Sequence, residues 1–335
     1  MTRFPVIALC FAAAFAAAVS CVTVSAPTEA EIVLRPVTEA PVKAPVLGTA
    51  FPAGRTLLLS ATTDGGAEWF TGIPFRRDAS SGVWRGTSPK YWPPRSTLAF
   101  FSCSTEAFSS SLSWNAVATT GATVVVADNG DAQDDILFSA ATGASSSQSV
   151  TMRYSHAMAL LSFTASADLA YDAATNTGVT ITALTLSPAW WGGTLAVTAA
   201  APSVSFAWGA LSARCERAVD GASVSVTASA AEVGTPLVLP PQPLVGFTVE
   251  YVLHNGRDAG GAAVDLPLDY TYIPDDGALE SGVRTVYNIH FALGYVYVST
   301  TLEPWHEVSQ EVTTGLFSTQ GVTTTGYYIG GDWQL

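Results

Sequence analysis

Short apolar runs recur along the chain, and their period is that of strands. Residues 124–127, 150–154, 160–165, 179–186, 224–228, 248–253, 286–293 and 295–301 are each brief, rich in β-branched or aromatic side chains, and often alternate with polar positions. Asn129-Gly130, Asn176-Thr177-Gly178, Asn255-Gly256 and Pro274-Asp275-Asp276-Gly277 punctuate them and supply the tight turns that antiparallel strands need. Helical heptads are absent, and the single helical expectation, over residues 212–219, is too short to form a layer. Frequent short strands with frequent turns predict antiparallel β-sandwiches.

The N-terminus departs from this pattern. Arg3 precedes an apolar run over residues 6–19, shorter than the roughly 20 residues a membrane-crossing helix takes, and it reads as a secretory signal. It ends in Ala18-Val19-Ser20-Cys21, small residues before a cysteine, so Cys21 is the expected lipidated mature N-terminus. Residues 21–50 form a tether with Pro27, Pro36, Pro41 and Pro45, within which residues 31–35 read as a strand that Pro36 confines to an edge or a terminus. The polar stretch 166–178 is the predicted boundary. The layout is then a signal over 1–20, a tether over 21–50, and two β-sandwich domains over 51–166 and 167–335.

Composition changes the picture mainly by exclusion. Charged residues make up 12% of the chain and the formal net charge is −13, which argues against nucleic acid as a partner, because phosphate recognition takes clustered Lys and Arg. The one basic cluster, Arg76, Arg77, Arg85, Lys90 and Arg95, interleaves with Trp69, Phe75, Trp84, Tyr91 and Trp92. It reads as a hairpin with aromatics packed inward and arginines in solvent. Cys103 and Cys215 are expected as two small buried thiols in separate domains.

Catalytic and metal chemistry find little footing. Neither Lys43 nor Lys90 sits in a phosphate loop, and His306-Glu307 lacks the second histidine of a zinc helix because Gln310 stands there. His156, His254, His290 and His306 have no neighbouring ligands at metal spacing, and His156, before an apolar strand, is expected to be buried and hydrogen-bonded. The acidic stretch 128–135 lacks the alternate ligands and distal glutamate of a calcium loop and reads as a solvated turn. No catalytic residue, no metal site and no cofactor is expected.

A set of short patterns, in order, resembles one family. These are Tyr91-Trp92-Pro93-Pro94 leading into Leu98-Ala99-Phe100-Phe101; Asp134-Asp135-Ile136-Leu137-Phe138; Met152-Arg153-Tyr154-Ser155-His156-Ala157 through Phe163; the run from Val179 to Leu186 with Trp191-Gly192-Gly193; Leu237-Val238-Leu239-Pro240-Pro241-Gln242; and Val286-Tyr287-Asn288-Ile289-His290-Phe291 through Pro304-Trp305. Together they are similar to the fimbrillin-like, type V pilin-like proteins of Bacteroidales. A tail of about 30 residues beyond Trp305 is longer than in the shortest members.

The resemblance implies two tandem transthyretin-like β-sandwiches, an outer-membrane lipoprotein at the cell surface, and fimbrial assembly with other fimbrillin subunits by strand donation. Surface ligands of host or bacterium are the further partners it implies. In the family a protease removes an N-terminal strand after a basic residue. Arg35 is the matching position here, with Lys43 and Arg55 as lesser sites. The tail, with β-prone stretches at 321–325 and 327–329, is the expected donor, and Tyr327 and Ile329 are its alternate inward side chains. The competing reading is a surface carbohydrate-binding lipoprotein, with exposed members among Trp69, Trp84, Trp92, Trp190 and Trp191 as a stacking platform.

Overall fold

The computed structural model describes residues 31–36, 55–93, 96–105, 112–117, 120–144, 149–257, 262–292, 295–305 and 308–314. Every regular element among them is a strand. In chain order these are β1 Ile32–Pro36, β2 Thr56–Thr63, β3 Glu68–Arg77, β4 Trp84–Gly86, β5 Thr97–Thr105, β6 Leu112–Val117, β7 Gly121–Val126, β8 Leu137–Ala144, β9 Ser149–His156, β10 Ala159–Ala167 and β11 Gly178–Ala200. There follow β12 Ser203–Ala218, β13 Val224–Ser225, β14 Ala231–Glu232, β15 Leu237–Leu239, β16 Gln242–Pro243, β17 Phe247–Arg257, β18 Ala263–Tyr272, β19 Ala278–Leu279, β20 Val283–Ala292, β21 Tyr295–Pro304 and β22 Val308–Thr314.

Eight strands close a barrel in the order β1, β22, β9, β8, β5, β2, β3, β4 and back to β1. Alternation sets its interior: Phe100 points into the lumen with Leu57, Leu59, Phe75 and Tyr154, while its neighbour Phe101 points out. An eight-stranded barrel is just wide enough for side chains to fill, and this one is filled by aromatics, with Trp92 edge-on to Phe100 at 5.4 Å. The outward residues Phe101, Cys103 and Phe138 form a second core with Val124 and Val126 of β7 and Leu195 and Val197 of β11.

The remaining strands build two facing sheets. One runs β14, β10, β20, β21, with β15 also on β10; β10 and β20 are parallel and all other pairings in it antiparallel. The other runs β18, β17, β11, β7, β6, with β12 and β13 on the far side of β11. Between them lies a third core centred on Phe163, Ile181, Trp191, Phe247 and Tyr287.

The sheets run across the expected division at residues 166 and 167. β10 pairs with β20, and β7, from the first half of the chain, pairs with β11, while β22 returns to the barrel. The cause is β11, 23 residues long, which pairs with β17 along its first half and with β7 along its second. The helix expected over residues 212–219 is strand instead: β12 runs through Ala218, held to β11 from Thr185 to Ala200. Its alternation of half-buried and exposed side chains has a period of two, which suits a sheet and not a helix.

Candidate functional site

β1 is a strand set into a closed wall. On one side it pairs with β22 over five residues, from Ile32 opposite Thr314 to Pro36 opposite Gln310, and on the other Val33 and Leu34 meet the short β4. The Ile32 amide donates to the Lys90 carbonyl at 2.7 Å, and Glu31 bridges to Tyr91. Arg85 holds the Glu31 carboxylate at 2.6 Å across the entrance. Pro36 falls at the strand's last position, where a missing amide costs least.

The sequence dictates that this strand is buried. Ile32, Val33 and Leu34 are 0%, 2% and 0% exposed, and Ile32 and Leu34 enter the lumen beside Trp84 and Met152. Each such side chain contributes roughly 1.5–3 kcal/mol of apolar stabilisation. Withdrawing β1 would therefore leave an apolar slot lined by unpaired backbone of β22 and β4.

A buried polar joint ties the barrel's floor to the rest. His156, closing β9, pairs its Nδ1 with Asp135 Oδ2 at 2.8 Å, and both are buried. Trp305 stacks on the imidazole, ring centroids 3.9 Å apart and planes at 14°. Arg55 is buried here too, donating through one terminal nitrogen to Ser104 Oγ at 3.5 Å and the Asp135 carbonyl at 3.3 Å. The carbonyl of Ala157 takes hydrogen bonds from Trp208 Nε1 and Ser281 Oγ. Burial first, and the nearby Asp134 charge second, hold the Cys103 thiol far above its usual range, against the pull of Arg55.

A family profile described as fimbrillin-like matches residues 48–305. The chain belongs to the fimbrillin-like family. No curated protein matches it. Among solved structures, a candidate cell adhesion protein from Bacteroides uniformis is similar at 13% identity, over 83% of this chain and 99% of that one, with a TM-score of 0.51. A fimbrial protein from Bacteroides vulgatus is similar at 12% identity, over 82% and 100% of the two chains, with a TM-score of 0.50. These likenesses show a shared all-β fold.

On this fimbrillin-like chain the singled-out residues fall in different places. Arg35 lies in β1, its backbone opposite Glu311. Cys21, Lys43, His306, Tyr327 and Ile329 lie outside the described residues. Arg55 is buried in the joint, so the folded chain does not offer it to a protease. Of the tryptophans weighed as a sugar platform, Trp84, Trp92 and Trp191 are core, and the two with solvent exposure, Trp69 and Trp190, sit on β3 and β11. Phe75, Trp84 and Trp92 pack inward while Arg76, Arg77 and Arg85 face solvent, as the hairpin reading expects, but Trp69 and Tyr91 are exposed, against it.

The acidic stretch divides in two. Asp128 and Asp131 face outward to Arg217, whereas Asp134 and Asp135 are buried on the barrel side. Cys103 and Cys215 are both free thiols, the first buried and the second half-buried. His156 is buried and hydrogen-bonded as expected, but its partners Asp135, Trp305 and the neighbouring Arg55 went unread. The signal for them was only that each is a polar or aromatic residue flanking a strand end, which many residues are.

Proposed function

We propose that this fimbrillin-like chain is a cell-surface fimbrial subunit or adhesin, exported as a lipoprotein through Cys21 and assembled with other fimbrillin subunits by strand donation into the place β1 occupies. The observation that carries this reading is the position of β1: a five-residue strand with Ile32, Val33 and Leu34 buried, whose loss opens an apolar slot in an otherwise edgeless barrel. Cleavage after Arg35 releases all of it but Pro36. The bond to Pro36 lies at the end of the β22 pairing and must fray before a protease can bind, and proline after the bond slows many arginine-specific proteases. Lys43 serves the same end, since a cut there also removes β1.

The tail supplies the donor. β22 ends at Thr314 opposite Ile32, so the tail begins beside the β1 slot. Alternate side chains such as Tyr327 and Ile329 then fill the lumen positions that Ile32 and Leu34 vacate. The words "fimbrial" and "cell adhesion" borne by the two similar structures agree with this reading.

The test is a chain carrying an engineered protease site after Arg35. Intact protein should run as monomer and trimmed protein as an SDS-resistant ladder; a trimmed protein that stays monomeric overturns donation. Truncation after Phe317 leaves β22 in place and should abolish the ladder while the monomer stays folded. Cys21→Ser should release the protein from membranes, and a variant that still fractionates with them refutes the anchor.

A further inference from the structure

One sheet is left with a bare edge. β21 is the outermost strand of the sheet β14, β10, β20, β21, and among the described residues no strand pairs on its outer side. Its ten residues include no charge before Glu303 and no proline before Pro304. Natural edges are usually blunted by charge or proline. The edge strand β18 shows the usual defence, with Asp265, Pro267 and Asp269 along it, and β12 carries Arg214, Glu216 and Arg217. β21 instead presents Tyr295 at 63%, Tyr297 at 47% and Leu302 at 63% exposure.

The backbone of such an edge dictates that its occupant is another extended strand, and the side chains say which one. We infer that β21 pairs with β21 of a second copy, antiparallel, about a two-fold axis normal to the sheet. That axis keeps each face on its own side, so outward residues meet outward and inward meet inward. Placed through Ser299, it sets Val296 of one copy opposite Leu302 of the other, twice over, and gives each exposed leucine an apolar partner. Tyr297 then faces Thr301, Tyr295 faces Glu303, and no like charges are opposed. Glu303 keeps its pairing with Arg284 of its own chain, at 3.4 Å.

This contact is independent of strand donation, and the test keeps the two apart by using protein with β1 intact, which fills its own slot. In sedimentation velocity the wild type should shift from monomer toward dimer as concentration rises through the micromolar range. Tyr297→Lys with Thr301→Lys opposes lysines across the axis and should weaken the dimer at least about tenfold. Tyr297→Glu with Thr301→Lys opposes glutamate to lysine and should stay within a few-fold of wild type. Both double variants place lysine at 301 and so lose the same hydrogen bond from Asn288, and both lose the Tyr297 ring contacts with Tyr295 and His290, so local damage affects them equally. A wild type that is monomeric at every concentration, or two double variants that sediment alike, overturns the pairing.

Discussion

The barrel and the facing sheets solve the edge problem in opposite ways. The barrel has no edge, but its wall is completed by strands from the two ends of the chain: β1 at Ile32–Pro36 and β22 at Val308–Thr314 pair with each other, with nearly the whole fold between them in sequence. The sheets are built largely from hairpins of neighbouring strands, β11 with β12, β17 with β18 and β20 with β21, and among the described residues leave β21 unpaired on its outer side. A strand contributed by a chain end can leave without dragging a connection through the core. A hairpin strand cannot. A strand that could leave, as proposed for β1, and an open edge, as at β21, therefore fall on different assemblies.

The largest break in this comparison is a charge in the β1 slot. Leu34→Ala should cost about 2–5 kcal/mol, and Leu34→Asp more, since it also buries an unpaired carboxylate. Calorimetry should show the barrel's transition falling while that of the facing sheets stays. Ile289→Ala, in the third core, should do the reverse at similar cost. A single transition that moves equally in both variants would show that the two assemblies unfold as one unit.

Next comes the joint between them. Asp135→Ala removes the partner of buried His156 and, with it, the arrangement on which Trp305 stacks before the chain turns into β22. Losing a buried hydrogen-bond partner in this way costs about 1–3 kcal/mol. Asp135→Asn, which keeps a hydrogen-bond acceptor, should cost less. Because Trp305 reports on the joint, loss of its near-ultraviolet dichroism alongside the stability change would place the damage there; unchanged dichroism would argue that Trp305 is held by other contacts.

Strands with a sharp local period were legible in the sequence. β9, β10, β17, β20 and β21 fall where alternation puts them, and Asn176 takes the positive φ that its turn signal announces; Asn255-Gly256 is no turn but lies inside β17, where the positive φ of Asn255 goes with a register shift between Leu253 and Gly256. What was not legible is pairing at long range. β2, β3, β5 and β8 carry mixed apolar and polar runs whose burial depends on both faces of the barrel wall, inside and out, so no clean alternation marks them. The apolar alternation of β11 stops at Leu186, where Ser187 and Pro188 interrupt the run; the structure passes them by a register shift between Leu186 and Ala189. The strand at residues 31–35 was visible, but that it is flanked on both sides, by β22 and β4, was not.

A smaller effect sharpens the contrast through alkali. Tyr154 lies in the barrel with its hydroxyl donating to Ser102 Oγ at 2.7 Å, and Tyr287 lies between the sheets donating to the Val245 carbonyl at 2.8 Å. Burial raises both phenols above their ordinary value of 10.0. The folded chain thus keeps them protonated at a pH where the unfolded chain does not. Their stabilisation is complete below pH 10 and is lost above it, at about 1.4 kcal/mol per pH unit for each. Tyr154→Phe should cost about 1 kcal/mol at neutral pH, flatten the alkaline decline of the barrel's transition, and leave that of the sheets. Equal flattening of both transitions would contradict the assignment of one tyrosine to each assembly.

The smallest expected effect lies on the surface between the assemblies. Arg217, on β12, pairs with Asp128 at 3.1 Å and with Asp131, and its guanidinium lies 5.2 Å over the Trp191 ring. Asp131 is almost wholly in solvent, so the ion pairs contribute little; with the ring contact, Arg217→Ala should cost about 1 kcal/mol and less in high salt. The same geometry bears on calcium binding. The four aspartates of residues 128–135 do not converge, because Asp134 and Asp135 turn into the buried side while Asp128 and Asp131 turn to Arg217, and among the described residues no set of three ligating side chains gathers. Melting of the wild type should therefore be indifferent to EDTA and to added calcium, and Arg217→Ala should stay so even with its two outer aspartates released. A rise in melting temperature with calcium in the variant alone would mean that Arg217 had been standing in for a cation, and that the loop can regroup its carboxylates once the guanidinium is gone.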